Sequence, residues 1–155
     1  MADVNDGEGL ISTVFVDSDA FVAFVKGDDS NHARAVKIFE KLKTQHVKFL
    51  TSNYVFAETV TVISQQVGRE QAFSFIRAVK NIEAPFPYRW VDSDIEELAL
   101  EIFGSQTSKN VSFVDCTNIA IIRKDALDAI FSFDAVYRKN GIRYGEELVA
   151  HKLGN

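Results

Sequence analysis

The sequence predicts an α/β fold, a three-layer α/β/α sandwich with a central parallel sheet of four to five strands. Three observations predict it. Short apolar runs recur along the chain; they are separated by longer stretches whose apolar residues repeat at helical spacing; and most end abruptly at a polar or acidic residue able to cap a helix. Strands that alternate with helices need crossover connections, which make the sheet parallel and cover both of its faces.

Taken in order, residues 1–11 mix Asp3, Asp6 and Glu8 with Gly7 and Gly9, lack periodicity and are expected to form a flexible acidic tail. Residues 12–155 are expected to form a single domain, since 155 residues that are 46% hydrophobic suit one core and not two. The first strand is Thr13 to Val16, ending at Asp17, and a short helix follows to Val25. Ser30 is expected to cap an amphipathic helix carrying Ala33, Val36, Ile38, Phe39 and Leu42. Val47 to Leu50 reads as the second strand; Ser52 or Asn53 caps a helix to about Gln66, and Gly68 divides it from another that runs to Lys80. Pro85 to Val91 reads as a third strand. Asp92 or Ser93 then caps the helix of Ile95, Leu98, Ala99, Ile102 and Phe103. Val111 to Val114 is a further apolar run that ends where Asp115 opens a helix, Ala129 to Phe133 is the last strand, and a short helix starts at Gly145.

Composition excludes several classes. Cys116 is the only cysteine, so no internal disulfide forms, and no export signal or membrane-length apolar run stands out, which leads to the expectation of a cytoplasmic protein with no membrane role. Seventeen Lys and Arg against 22 Asp and Glu give a net charge of −5, the wrong overall sign for a protein that merely clamps nucleic acid.

In a parallel sheet, ligands bind beyond the carboxyl ends of the strands. Asp17 and Asp134 each follow an apolar strand and should meet at that edge. Asp115, opening a helix, points its charge toward the same edge. Glu58 lies within Tyr54 to Val60 among core-forming neighbours, where a carboxylate needs a partner. Two carboxylates about 4 Å apart repel by roughly 4 kcal/mol at an effective dielectric of 20, so a cluster of four calls for a cation or for protons. The donors are all oxygen, with no His or Cys pairs at zinc spacing, and that selects Mg²⁺ or Mn²⁺ and water attack on a phosphodiester. Ser18 and Thr117 stand beside the acids and are candidates to hydrogen-bond a carboxylate, and Asp19 to add another. Taken alone, Asp17 or Asp115 reads more readily as a helix cap, Asp134 equally as the opening of a turn, and Glu58 also as a solvent-facing residue. His32 has no acidic or nucleophilic partner at a recognisable spacing and is read as a packing or capping residue, and Cys116, with no paired His, as a small buried one.

Phe15-Val16-Asp17-Ser18-Asp19-Ala20-Phe21 resembles the opening of PIN domains, and Thr51 to Glu58 resembles the second acidic motif of VapC-like toxins. Asn31-His32-Ala33 is similar to their His-x-x-Ala region in residue type only. Ser112 to Thr117 and Ile130 to Asp134 are similar to the third and fourth acidic motifs, in order and at family-like separations, so the resemblance spans nearly the whole chain. It implies a PIN fold, a metal site of Asp17, Glu58, Asp115 and Asp134, Mg²⁺- or Mn²⁺-dependent endoribonuclease activity, a homodimer and a cognate antitoxin. Exposed apolar helix faces between Phe73 and Val79 would suit a dimer interface. Two departures stand out: Asp19 sits where the family usually has Asn or Ser, and Arg123 to Asp128 lacks the glycine common before the last strand.

An RNA partner would need cations, and Lys109, Arg123, Lys124, Arg138, Lys139 and Arg143 flank the third and fourth motifs; Lys109, Arg138 and Lys139 are the candidates for phosphate contact. Two other functions compete. Asp17-Ser18-Asp19 also resembles the nucleophile and acid of haloacid-dehalogenase-like phosphatases, although that reading leaves Glu58 unexplained. A non-catalytic PIN module that binds RNA or protein is the other; a receiver-type signalling domain is weaker, lacking the late Lys.

Overall fold

The structure, a computed structural model, describes residues 11–84 and 86–150. The expected tail therefore lies outside the described residues, except Ile11, which is exposed and in no regular element.

The chain alternates β1 (Thr13–Val16), α1 (Ser18–Val25), α2 (His32–Thr44), β2 (Lys48–Ser52), α3 (Asn53–Gln66), α4 (Arg69–Val79), β3 (Tyr88–Arg89), α5 (Ser93–Ser105), α6 (Phe113–Lys124), β4 (Ala129–Phe131), α7 (Val136–Lys139) and α8 (Gly145–Ala150). The four described strands pair in parallel in the order β3-β2-β1-β4, with Phe15 opposite both Leu50 and Ile130. β1 is central and buried on both faces. Val14 and Val16 join the core under α1 and α2, while Phe15 joins the core formed with α3, α5 and α6. A third core of Val22, Ile63, Ala72, Phe75 and Val79 fills the angle between α1, α3 and α4. Of the helix face expected between Phe73 and Val79 to be exposed, Phe73 is exposed while Phe75 and Val79 are buried.

Several boundaries differ from the sequence reading. The apolar run Val111 to Val114 forms no strand: Ser112 and Asp115 cap each other across its middle, so Phe113 and Val114 become the first residues of α6. Such a box outweighs the β propensity of a short apolar run. α2 is entered at Asn31 and not at Ser30, and Asn31 makes no side-chain cap bond. β3 shrinks to two residues and β4 stops at Phe131 because Ser132 and Phe133 are drawn into side-chain bonds with Asp19.

The missing glycine before the last strand has a visible consequence. Ala126 adopts φ 51°, the left-handed conformation that ends α6, and the Leu127 N–H closes the turn on the Ile122 carbonyl at 3.0 Å. A side chain occupies the position where glycine is least strained.

Candidate active site

Asp17 continues β1 by donating its N–H to the Phe131 carbonyl, then turns its side chain back to accept from the Ser18 N–H at 2.7 Å, capping α1. The cap reading holds for this residue, and the same carboxylate lies beside Asp19 and Asp115. It is 4% exposed. Asn118 donates to its Oδ1 (3.1 Å) and the Tyr137 hydroxyl to its Oδ2 (2.5 Å). Burial, then the charges of Asp19 and Asp115, push the Asp17 carboxyl up to about 8, against the partial relief of the Tyr137 and Ser18 bonds.

The other acids are gathered through hydroxyl groups. Tyr137 lies between Asp17 and Asp115, 3.2 Å from the Asp115 Oδ1, with Asn118 donating to its oxygen at 2.9 Å. Ser132 lies between Asp17 (3.4 Å) and Asp19 (3.0 Å). A hydroxyl carries one proton, so the shorter contact of each takes it: Tyr137 serves Asp17 and Ser132 serves Asp19. Asp19 accepts a second bond from the Phe133 N–H at 2.7 Å, which ties α1 to the β4–α7 loop; burial is the first cause raising its carboxyl. Glu58, half-buried on α3, receives the partner its surroundings demand from the Ser18 hydroxyl at 2.6 Å. Asp134 is exposed at the rim. Its Oδ1 accepts from the Val136 N–H (2.9 Å) and its N–H donates to Ser132 (3.1 Å).

Thr117 is not brought to the acids: its hydroxyl donates along the helix to the Val114 carbonyl at 2.7 Å. Lys109 and Lys139 are exposed, and Arg138 pairs with Glu147 at 2.8 Å while lying over the Tyr144 ring. His32 hydrogen-bonds the Ala23 carbonyl, and the Cys116 thiol, buried, is pushed up by burial and by Asp115. Tyr137, Asn118 and Ser132 were missed. For Asn118 a signal existed, because it lies three residues after Asp115 and so shares its helix face.

Among the described residues, no three His, Cys, Asp or Glu groups converge closely enough to hold an ion as they stand. The donor set nonetheless suits a hard cation. Asp19 Oδ1 is buried without any hydrogen-bond partner, and buried polar atoms left over in this way call for an ion or a water. Oxygen ligands and unrelieved negative charge match Mg²⁺ or Mn²⁺.

The PIN domain family model matches residues 14–142. The chain belongs to the PIN-domain family. The "23S rRNA-specific endonuclease VapC20" of Mycobacterium tuberculosis, in strains CDC 1551 / Oshkosh and ATCC 25618 / H37Rv, is 27% identical over 128 residues, 83% of this PIN domain chain and 94% of that protein. The crystal structure of Mycobacterium tuberculosis VapC20, described as a sarcin-ricin loop cleaving toxin, superposes with a TM-score of 0.74 at 25% identity, over 83% of this chain and 95% of that one. The PIN assignment is not the family that the phosphatase alternative requires.

Proposed function

We propose that this PIN domain is a metal-dependent endoribonuclease that hydrolyses RNA phosphodiester bonds and serves as the toxin of a toxin–antitoxin pair. The observation that carries the reading is the carboxylate cluster at the carboxyl edge of a PIN-family sheet, with Asp17 buried beside Asp19 and Asp115. Asp17, Glu58, Asp115 and Asp134 would hold Mg²⁺ or Mn²⁺, with Asp19 adding its unpartnered oxygen. When bound, a divalent ion supplies Lewis-acid polarisation of the phosphate and a nucleophilic water at neutral pH. The chain's own groups do the positioning: Tyr137 and Asn118 fix the Asp17 carboxylate, Ser18 fixes Glu58, and Ser132 with the Phe133 N–H fixes Asp19. Lys109, Arg138 and Lys139 are proposed to meet RNA phosphates, Arg138 after release from Glu147.

A ribosomal RNA substrate and a cognate antitoxin belong to the same proposal, supported by the likeness to VapC20; a homodimer and a cytoplasmic setting are added to it from the sequence reading alone. No helix among the described residues is long and apolar enough to cross a membrane. The test is incubation of ribosomal and total RNA with the purified protein in Mg²⁺, Mn²⁺ or EDTA beside Asp17→Asn and Asp115→Asn. Metal-dependent cutting lost in both variants is the expected result. Equal inertness of all three proteins, freed of any inhibitor, would favour the non-catalytic binding module.

A further inference from the structure

Beside Ser18, Asp19 and Glu58 opens a cleft of about 320 Å³ whose chemistry differs from that of the carboxylate cluster. Val22, Val62 and Phe133 give it an apolar lining, and two primary amides, Asn31 and Gln66, complete it. Phe133 is held in place relative to the acids because its own N–H is bound by Asp19, and its ring is packed edge-on against Phe131, with the Arg34 guanidinium 5.2 Å from the ring centroid. Asn31 occupies a helix N-cap position yet makes no side-chain cap bond, although caps are where Asn ordinarily spends its side-chain oxygen. Its backbone is anchored instead, by the Asp29 carboxylate at 2.8 Å. The loop is thus fixed and the amide uncommitted to the helix.

The cleft holds no Lys or Arg among its lining residues, and Asp19, Asp29 and Glu58 make it acidic. Without a bound cation a phosphate would be repelled there, whereas a neutral heterocycle would not. The volume lies at the low end of small-molecule pockets, roughly 300 Å³ and upward, which suits one base and excludes a duplex. Unpaired RNA is read by stacking its bases on aromatic rings and hydrogen-bonding their edges, and a primary amide offers one donor and one acceptor to such an edge.

We propose that this cleft receives one unstacked nucleobase of the RNA strand next to the phosphate being cut, with Phe133 and the valines taking its face and the Asn31 and Gln66 amides its edge. The proposal deepens the nuclease reading and rests on it for the identity of the ligand.

The test is heteronuclear NMR of the metal-free protein, titrated separately with the four nucleoside 5′-monophosphates and with ribose 5-phosphate. The expected result is that at least one nucleotide shifts the side-chain amide signals of Asn31 or Gln66 and the ring signals of Phe133, that ribose 5-phosphate does not, and that Asn31→Ala combined with Gln66→Ala weakens that binding by roughly tenfold or more. Silence from all four nucleotides, or equal shifts from ribose 5-phosphate, overturns the base site. RNA cleavage measured in parallel separates the two failures. Cutting without nucleotide shifts leaves the nuclease standing and removes the cleft; nucleotide shifts without metal-dependent cutting leave a base-binding cleft and remove the nuclease.

Discussion

Replacing Asp17 by Asn should make the metal-free protein more stable at neutral pH while abolishing its activity. The carboxyl of Asp17 is held up at about 8 against an ordinary 3.8, first by burial and then by Asp19 and Asp115. A carboxyl raised in the fold contributes stability that is fully present below its unfolded value and is lost as pH climbs toward the folded one. At pH 7 the unfolded chain has given up that proton and the folded chain has not. The roughly three pH units above 3.8, at about 1.4 kcal/mol each, set an upper bound on the order of 4 kcal/mol, reduced because a buried neutral amide has a cost of its own.

The hydrogen bonds accommodate the change. Oδ1 keeps the Ser18 N–H and Asn118; the new amide nitrogen donates to the Tyr137 oxygen, whose proton swings to Asp115 at 3.2 Å. Thermal unfolding in EDTA from pH 4.5 to 8.5 is the assay. The variant should exceed the wild type by only about 2–4 °C near pH 4.5, by up to roughly 10 °C at pH 7, and hold a level advantage beyond about 8. Added Mn²⁺ should raise the wild-type Tm and leave the variant unmoved. A variant less stable than wild type at pH 7 in EDTA, or a difference that does not vary with pH, would refute the reasoning.

Three other outcomes are expected. Tyr137→Phe removes the shortest bond to Asp17, so Mn²⁺ affinity measured by calorimetry should fall 10- to 100-fold, on the order seen for ligand-orienting groups; because that bond lowers the Asp17 carboxyl, the acidic limb of the pH–rate profile should move to higher pH. Ser18→Ala leaves Glu58 without its 2.6 Å donor, and kcat should drop while the Tm changes by no more than about 1 kcal/mol equivalent, read by single-turnover cleavage and melting. Ala126→Gly relieves the left-handed φ of 51° and should stabilise by about 1 kcal/mol, seen as a Tm rise of roughly 2–4 °C with cleavage unaltered.

Much of the frame was legible because it depends on local patterning. β1 is an unbroken apolar run closed by Asp17, and Ser52 and Asp92 cap their helices as expected. Val111 to Val114 misled because apolar residues placed just inside a helix start look like a strand, and only the Ser112–Asp115 spacing distinguishes the two. The acids themselves were readable from their positions after strands and at helix starts. What joins them was not. Tyr137 reaches Asp17 across 120 positions, and Ser132 reaches Asp19 across 113, contacts that no window of sequence contains. Thr117 failed for the opposite reason: only two residues after Asp115 in sequence, it faces another side of the helix, where the Val114 carbonyl takes its proton.

The arithmetic of protons explains why this arrangement favours a cation-binding nuclease over the aspartyl nucleophile of a phosphatase. Three hydroxyls, on Ser18, Ser132 and Tyr137, stand among Asp17, Asp19, Glu58 and Asp115, and each can give its proton to only one carboxylate. Ser18 serves Glu58, Ser132 serves Asp19 and Tyr137 serves Asp17, so Asp115 is left without one of them and Asp19 keeps a buried oxygen with no partner. Without a cation, Asp17 answers the deficit by holding its own proton up to about 8, and a protonated carboxyl, 4% exposed and covered by Ser18, Asn118 and Tyr137, is a poor attacking group at neutral pH. A divalent ion held by these acids would remove the need for the Asp17 proton. The same burial that makes Asp17 unfit as a free nucleophile is compatible with a metal site, where a bound cation would release that proton and relieve the repulsion among Asp17, Asp19 and Asp115.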